Sequence, residues 1–384
     1  MIGAGPAGLA AANALSFMGH KATVFEREKK AGGMLVSAIP EYRLPKAILA
    51  NEVASLLNDN VQIQYKKTLG KDFTVDSLLK EGYDAVFIST GSHASKKLDL
   101  PGENADGIIP GIKFLKSCNL NGKSLAKGKV GVIGGGNSAM DAARVAVRQP
   151  GVESVTIFYR RTRESMPAYE EEIHAGLEEG IKLETLVTPV AVGKTDNKLT
   201  SMTFLRNELG MPDNSGRRKP VPIKGSEFEV KLDTLIVAIS EEPETAGMDG
   251  VTLSKWGSVE VDPESLATNI KGVFAGGDVV TGPSTVIEAV AAGKKAAVMM
   301  DRYVSGKLMK TLNHVKLPKV YVAPVTIAES EEETETVSRL VQPMLPVVKR
   351  KGCFVEAELT PSEEQARTEA RRCARCDLEF TQPK

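Results

Sequence analysis

Short apolar runs alternate with glycine-containing turns and amphipathic segments along most of this chain. Residues 22–25, 85–88, 155–158, 234–239 and 273–275 are apolar runs with the length of buried strands. Residues 9–18 and 284–300 instead repeat their apolar positions at helical spacing. Because strands that alternate with helices form parallel sheets covered by helices, the pattern predicts an α/β fold.

The first glycine turn, at residues 3–8, reads Gly-Ala-Gly-Pro-Ala-Gly and precedes a helical segment. The next strand ends in Glu26, about 20 residues later, where a dinucleotide site carries the carboxylate that binds a ribose hydroxyl. Such a motif is weak on its own, and a glycine-rich turn beside a surface charge is the alternative interpretation. The strand, helix and acidic residue around it favour a dinucleotide-binding unit.

A second loop, Gly-Gly-Gly-Asn-Ser-Ala at residues 134–139, is followed by a strand that ends at Arg160, Arg161 and Arg163. A carboxylate at this strand end is typical of NAD sites, whereas guanidinium groups bind the 2′-phosphate of NADP in bidentate fashion. The alternative is an ordinary solvated arginine cluster. A carboxylate in one unit and arginines in the other indicate two different nucleotides, so we predict FAD in the first and NADP(H) in the second.

The order of these elements predicts two Rossmann-like domains, one inserted in the other. Residues 273–300 form no unit of their own, so we expect them to return to the first domain. The predicted domains are a discontinuous FAD-binding domain at residues 1–97 and 244–310, an NADP(H)-binding domain at 98–243, and a tail at 311–384. The strand before the first glycine has only Met1 and Ile2, so it is truncated or very short.

The amino-acid composition limits the classes of partner and the compartment that we expect. Lys and Arg number 49, as do Asp and Glu, so a net charge of zero gives no reason to expect nucleic acid or an anionic membrane. No apolar stretch reaches the ~18 residues of a membrane span. Four cysteines among 384 residues make no disulfide framework, and we therefore expect a reducing, cytoplasmic location.

Several segments together resemble one protein family. They are the two glycine loops, Gly-Gly-Met at 32–34, Ile-Pro-Glu-Tyr-Arg-Leu-Pro at 39–45, residues 159–168, residues 274–289 and residues 369–377. On these segments the chain resembles the small (beta) subunit of NADPH-dependent glutamate synthase and the flavin half of dihydropyrimidine dehydrogenase. The resemblance covers most of residues 1–310. It implies a two-dinucleotide-binding flavoprotein that passes electrons from NADPH through FAD to an iron–sulfur partner or subunit.

The resemblance also implies roles for individual residues. On the FAD side these are Gly3, Gly5, Ala7 and Gly8 at the pyrophosphate, Glu26 at the adenosine ribose, Gly33, Met34 and Arg43 beside the flavin, and Gly277, Asp278 and Thr285 at the ribityl end. Pro6 and Arg27 are also expected to contact the cofactor. On the NADP(H) side they are Gly134, Gly136, Asn137 and Ser138 at the pyrophosphate, Arg160, Arg161 and Arg163 at the 2′-phosphate, and Ala238, Ile239 and Ser240 near the nicotinamide. Hydride transfer between stacked rings needs no acid–base side chain, so we name no catalytic residue. A catalytic-acid role is the alternative for Asp278.

Three departures from the family pattern bear on function. The first strand is short, no counterpart of the cysteine-rich N-terminal domain of glutamate synthase small subunits is present, and Ser240 and Glu241 replace the usual Gly-Gln. The alternative function is therefore a non-catalytic assembly or electron-transfer subunit of a larger redox complex, in which the short strand prevents FAD binding.

Cys373 and Cys376 form a Cys-x-x-Cys pair in the tail. The segment Thr-Pro-Ser-Glu at 360–363 has the features of a helix start, and the helix would place both thiols on one face. An iron–sulfur cluster normally takes four thiolates, and Cys118 and Cys353 stand at irregular spacings. The two hypotheses are a 4Fe-4S cluster shared with a partner and a pair with no metal.

Overall fold

The structure is a computed structural model that describes residues 1–212, 216–310 and 338–371. The elements of its first segment are α1 (Pro6–Phe17), β1 (Ala22–Glu26), α2 (Met34–Ser37), α3 (Lys46–Ser55), β2 (Val61–Tyr65), α4 (Val75–Lys80), β3 (Val86–Ile88) and β4 (Ala94–Ser95). Helix α1 begins at a proline, whose fixed φ suits the first helical position. Helix α4 begins with a capping box, in which Thr74 and Ser77 bind each other's backbone N–H.

The middle segment carries the larger number of strands. Its elements are β5 (Ile108–Pro110), α5 (Gly111–Asn121), β6 (Gly128–Ile133), α6 (Asn137–Val147), β7 (Val152–Tyr159), a 3-10 turn (Arg163–Ser165), α7 (Glu170–Glu178), β8 (Lys182–Thr185), β9 (Val187–Thr195), β10 (Lys198–Pro212), β11 (Arg218–Pro222), β12 (Phe228–Lys231), β13 (Thr234–Val237) and β14 (Glu241–Glu242). Helix α5 ends at Gly122, whose φ of 62° is the left-handed conformation that commonly closes a helix.

The last elements are β15 (Val273–Ala275), α8 (Asp278–Thr281), α9 (Val286–Val304), α10 (Val347–Arg350) and α11 (Glu363–Arg371). Helix α9 begins at Thr285, which forms a capping box with Glu288. No helix within the described residues is both long and apolar enough to cross a membrane.

The first parallel sheet depends on Ile2. Strand β1 pairs with β2, and β3 pairs with β15, all in parallel. Ile2 bridges the two pairs because its N–H donates to the Phe87 carbonyl at 2.8 Å and the Gly3 N–H donates to the Phe25 carbonyl at 2.8 Å. The strand order is therefore β2-β1-Ile2-β3-β15. The first strand is very short, as expected, yet it pairs with β1 on one side and β3 on the other and so joins the two strand pairs into one sheet.

The second parallel sheet has the order β5-β13-β6-β7-β8. Helix α6 covers one face, and its alanines and Met140 lie in the core beneath it. An antiparallel sheet of β9, β10, β11 and β12 covers the other face. Phe158 of β7 stacks on Phe204 of β10 with ring centroids 4.2 Å apart, so the two sheets share an apolar core.

The chain crosses between the two parallel sheets through β4 and β14. These two-residue strands pair in antiparallel fashion, with Glu241 opposite Ser95. After β14 the chain returns to the first sheet, where β15 lies beside β3 and α9 packs against α1. Contact between the helices is tight, since a Cβ on Gly293 of α9 would lie 2.1 Å from the Ala7 carbonyl oxygen.

A buried charge cluster joins the described part of the tail to the second domain. It consists of Arg144, Arg148, Glu172, Glu179 and Arg350. Burial opposes ionisation of Glu179, but hydrogen bonds from Arg148 and Arg144 outweigh it and lower the pKa of Glu179 to about 2. Tyr42 of the 39–45 segment lies against two of these arginines, with its ring centroid 4.6 and 4.3 Å from their guanidinium carbons. Its carbonyl accepts the Ala357 N–H at 2.9 Å, so the tail contacts both domains.

Candidate functional site

Both glycine loops open into one cleft between the two parallel sheets, with a volume of about 1770 Å³. The predicted site residues that line it are Gly3, Gly5, Pro6, Ala7, Glu26, Arg27, Gly33, Met34, Arg43, Gly134, Gly136, Asn137, Ser138, Arg160, Arg161, Ala238, Ile239, Ser240, Gly277, Asp278 and Thr285. Gly8 and Arg163 do not line the cleft. The fold therefore brings together residues from both nucleotide units that lie far apart in the sequence.

The first loop is shaped by close backbone contacts. Gly3 has a φ of 104°, and a Cβ there would lie 2.6 Å from the Ser89 carbonyl oxygen. Gly8 lies beneath the loop, where a Cβ would meet the Gly3 carbonyl oxygen at 2.0 Å. Gly5 caps α1 without a side-chain hydrogen bond, and the first turn of α1 contains no acidic residue. The N-terminus of α1 therefore presents backbone N–H groups and its positive dipole end to the cleft.

Glu26 is buried at the end of β1 and is held by the first loop itself. Its two carboxylate oxygens accept the Ala4 and Glu28 N–H groups, both at 2.8 Å. Each oxygen keeps a lone pair that a ribose hydroxyl can use. Arg27 lines the same end of the cleft and forms an ion pair with Glu244. The carboxylate thus lies at the cleft in a fixed orientation.

Two further observations support a bound dinucleotide on the side of the cleft beside the first loop. Gly5 and Gly33 face each other so closely that a Cβ on Gly33 would lie 2.9 Å from the Gly5 Cα. The hydroxyl of Thr90, which lines the cleft just after β3, is buried and has no hydrogen-bond partner among the residues that the structure describes. An orphaned hydroxyl costs free energy unless a ligand satisfies it. The sequence did not indicate Thr90, although the turn that comes after β3 marks its position.

Asp278 and Thr285 lie where the helix from the returning segment meets the cleft. Burial raises the pKa of Asp278 to about 6, the Ser284 N–H opposes this, and the charge of Glu288 adds to it. Glu288 also accepts the Thr285 N–H at 3.1 Å and occupies the start of α9. Helix α9 therefore differs from α1, because a protein carboxylate already caps its N-terminus.

The second loop repeats the design of the first. Gly134 has a φ of 146°, and a Cβ there would lie 2.1 Å from the Ala238 carbonyl oxygen. Gly136 caps α6 without a side-chain hydrogen bond, and the first turn of α6 contains no acidic residue. Asn137 accepts the Tyr169 N–H at 3.1 Å. The N-terminus of α6 is thus a second place where backbone N–H groups meet an anion.

Ser240 and Glu241, the two residues that depart from the pattern expected from the resemblance, lie near the second loop. Ser240 lines the cleft, and its backbone carbonyl accepts the Lys96 N–H at 3.0 Å from the opposite linker strand. Burial raises the pKa of Glu241, while a hydrogen bond from Ser138 lowers it and the charge of Asp278 raises it. Glu241 therefore links the second loop electrostatically to the returning segment of the first domain.

The three arginines of the second strand end have different surroundings. Arg160 is exposed at the cleft. Arg161 is 4% exposed and donates its Nε to the Arg218 carbonyl at 2.9 Å. Arg163 belongs to the 3-10 turn and forms an ion pair with Glu170 away from the cleft. A role for Arg163 in cofactor binding stays a prediction.

Arg43 reaches across the cleft to the second domain. Its Nη1 lies 2.9 and 3.0 Å from the two carboxylate oxygens of Asp141, and its Nε lies 3.1 Å from Glu172. Burial raises the pKa of Asp141 to about 6, although the charge and hydrogen bond of Arg43 oppose the rise. Met34 at the start of α2 also packs against the core of the second domain. Both residues thus help to fix the relative position of the two domains.

The cysteine pair of the tail, Cys373 and Cys376, lies outside the described residues. Cys118 and Cys353 have free thiols. Within residues 1–212, 216–310 and 338–371, no three His, Cys, Asp or Glu side chains are grouped as metal ligands.

Comparison with known proteins agrees with this arrangement. The family model described as pyridine nucleotide-disulphide oxidoreductase matches residues 1–293. Among solved structures, FprA of Mycobacterium tuberculosis in complex with NADPH superposes with a TM-score of 0.68 at 17% identity, over 79% of this chain and 84% of that one. Thioredoxin reductase of Lactococcus lactis gives 0.60 at 22% identity, over 79% and 98%. These neighbours confirm the predicted two-dinucleotide-binding fold.

Curated relatives are more similar in sequence. The beta subunit of the NADP(+)-dependent formate dehydrogenase of Moorella thermoacetica is 41% identical over 98% of this chain and 54% of its own length. The beta subunit of the NADPH-Fe(3+) oxidoreductase of Geobacter sulfurreducens is 34% identical over 98% and 61%. A putative glutamate synthase [NADPH] small chain of Cereibacter sphaeroides is 35% identical over 79% and 76%. The chain spans little more than half the length of the first two relatives.

The family resemblance seen in the sequence is therefore confirmed by a model match over most of the chain and by relatives above 30% identity. The chain belongs to the pyridine nucleotide-disulphide oxidoreductase family.

Proposed function

We propose that this chain is an NADPH-dependent flavin oxidoreductase that holds FAD at the first glycine loop and NADP(H) at the second. The observation that carries the proposal is a pair of helix N-termini, at Gly5 and Gly136, that have no side-chain cap and open into one cleft. Each provides N–H donors for a pyrophosphate, and the two strand ends carry opposite charges. The roles predicted from the sequence for the residues that line the cleft, and the domain boundaries at 1–97 with 244–310, 98–243 and 311–384, are part of this proposal.

The residues of the chain bind and orient, and the bound groups supply the chemistry. When bound, NADP(H) and FAD provide hydride donation and two-electron acceptance. Glu26 would orient the adenosine ribose of FAD through lone pairs that its two backbone donors leave open. Arg160 and Arg161 would select a 2′-phosphate over a 2′-hydroxyl. Arg43 would keep the two sites in register because it binds Asp141 and Glu172 across the cleft.

The electron acceptor is proposed from the relatives. Their names describe subunits of a formate dehydrogenase, an NADPH-Fe(3+) oxidoreductase and a glutamate synthase. We infer that electrons leave this chain for an iron–sulfur partner or subunit, with Cys373 and Cys376 contributing two ligands if a 4Fe-4S cluster is shared. The free thiols of Cys118 and Cys353 fit a reducing compartment, and we propose the cytoplasm.

The visible spectrum of the purified protein under anaerobic conditions tests this proposal. We expect flavin absorbance that bleaches on addition of one equivalent of NADPH and much more slowly with NADH. A protein that remains colourless after incubation with FAD would contradict the proposal and favour the non-catalytic assembly subunit. Bleaching at equal rates with both nucleotides would contradict the assignment of the second site to NADP(H).

A further inference from the structure

The antiparallel sheet of the second domain is attached directly to the strand end that carries the arginines. The Leu186 N–H donates to the Arg161 carbonyl at 3.1 Å, and the Asn207 side-chain amide donates to the Arg160 carbonyl at 2.9 Å. These bonds hold the backbone of Arg160 and Arg161 against β9 and β10. The antiparallel sheet therefore lies close enough to contact a ligand that these arginines bind.

The β10–β11 hairpin is also attached to an arginine side chain. Arg161 donates its Nε to the backbone carbonyl of Arg218, the first residue of β11. The Arg218 guanidinium turns back along the hairpin, where its Nε donates to the Gly210 carbonyl at 3.0 Å. Arg218 thus braces the hairpin and leaves the preceding residue, Arg217, beside the cleft.

The arginines near this strand end do not all line the cleft. Arg163 pairs with Glu170 outside the cleft, so only two of the three arginines predicted from the sequence line it. Arg217 lines the cleft together with Arg160, Arg161 and Thr188. A phosphate monoester carries about −1.5 to −2 charges and three acceptor oxygens at pH 7, which exceeds what a single exposed arginine neutralises.

We infer that Arg217 is a third guanidinium of the 2′-phosphate site and determines, with Arg160 and Arg161, the preference for NADP(H) over NAD(H). The inference rests on the proposed function, because it names a further residue of the same site. A guanidinium suits this position since its planar fork binds two phosphate oxygens at once. Because Arg161 and the hairpin are hydrogen-bonded together, a phosphate held by both also ties the hairpin to the strand end that carries Arg160 and Arg161.

Equilibrium binding of two probes, 2′,5′-ADP and 5′-AMP, tests the inference by isothermal titration calorimetry on the full chain. The probes differ only by the 2′-phosphate and need no hydride transfer. We expect Arg217→Ala to weaken 2′,5′-ADP about tenfold, the effect of one charge-assisted contact, and to leave 5′-AMP within twofold. Arg217→Lys should fall between the two proteins, because the charge remains and the fork is lost.

Lys219→Ala is the matched control, since Lys219 is an exposed cation on the same hairpin that does not line the cleft. It removes the same charge and should change neither probe by more than twofold. Unchanged 2′,5′-ADP binding in Arg217→Ala, or an equal loss in Lys219→Ala, would overturn the inference while the proposed function stands. A wild-type chain that binds both probes equally would overturn the proposed function and the inference with it.

Discussion

The two glycine loops share a backbone design and differ in the strand ends beside them. Gly3 and Gly134 both have positive φ values at a place where a side chain would strike backbone, and both loops lead into an uncapped helix. The first strand end carries a buried carboxylate, Glu26, and the second carries arginines. Under the proposed function, the shared loop design sets where each pyrophosphate would lie, and a few residues at the strand ends set which ribose would be accepted.

The helices behind the loops are also held in different ways. Helix α1 lies against α9 through small residues, with Gly293 almost touching Ala7. Helix α6 packs its buried alanines on the core and is held in addition by charge, because Arg144 and Arg148 bind Glu179 in the buried charge cluster. Buried paired charges thus support α6, whereas close contact between small residues supports α1, and mutations can separate the two contributions.

The largest expected effect is on the charged support of α6. Glu179→Ala leaves Arg144, Arg148 and Arg350 without their shared carboxylate, and removing one partner of a buried ion pair costs about 3–5 kcal/mol. Urea unfolding should show this loss of stability. Glu171→Ala, at an exposed glutamate in the first turn of α7, the helix that Glu179 follows, should cost less than about 1 kcal/mol. Equal losses in the two variants would contradict the account of the cluster.

The packed support of α1 should respond to one added methyl group. In Gly293→Ala the new Cβ would overlap the Ala7 carbonyl oxygen, and overpacking of this kind costs about 1–3 kcal/mol. Because Ala7 belongs to the first loop, we expect weaker FAD retention on gel filtration together with lower stability. Lys294→Ala, an exposed neighbour on α9, is the control. Full FAD retention in the Gly293 variant would show that the loop does not depend on this contact.

Arg160→Ala should change nucleotide preference without changing stability. Loss of a charge-assisted hydrogen bond to the 2′-phosphate predicts a fall of about 10- to 100-fold in the ratio of kcat/KM for NADPH to that for NADH. Arg163→Ala is the sharpest control, because Arg163 comes from the same strand end but pairs with Glu170 off the cleft. Stopped-flow reduction of the flavin measures both ratios. A larger change with Arg163 than with Arg160 would refute the placement.

The smallest effect concerns a carboxyl group on the FAD side. The pKa of Asp278 is raised to about 6 from its usual 3.8, so the folded protein binds more protons than the unfolded chain between these values. Stability from this group is therefore present at low pH and is lost as pH rises through 6. Without added nucleotide, Asp278→Asn should be more stable than wild type at pH 8 and equal to it near pH 4. Urea midpoints with the opposite trend would contradict the burial of this carboxyl.

Much of the fold could be predicted from the sequence because glycine loops and apolar strands are local signals. The loops at 3–8 and 134–139, the acidic and basic strand ends and the start of α9 at Thr285 all appear where the pattern indicated them. The sequence also predicted that the first strand is short, but it did not predict that this strand joins two strand pairs into one sheet. Met1 and Ile2 complete a sheet through hydrogen bonds to Phe25 and Phe87, which only the folded chain brings beside them.

The parts that could not be predicted depend on long-range packing. The Thr90 hydroxyl is buried at the cleft without a partner among the described residues, and Arg217 lies at the cleft in a hairpin whose strand β11 is hydrogen-bonded to Arg161. Conversely, Arg163 looked equivalent to its neighbours in sequence, and a 3-10 turn directs it to Glu170 instead. In the Ile-Pro-Glu-Tyr-Arg-Leu-Pro segment, Tyr42 and Arg43 contact the second domain, and the sequence did not indicate these contacts.

The central claim is that the two loops hold two different nucleotides, and equilibrium binding of FAD and NADP+ to two variants tests it most directly. We predict that Glu26→Gln weakens FAD about tenfold and leaves NADP+ within twofold, because it removes a charged acceptor at the first loop only. Arg160→Ala should do the reverse. If either variant weakens both nucleotides to the same extent, the two loops do not form separate sites and the account is wrong.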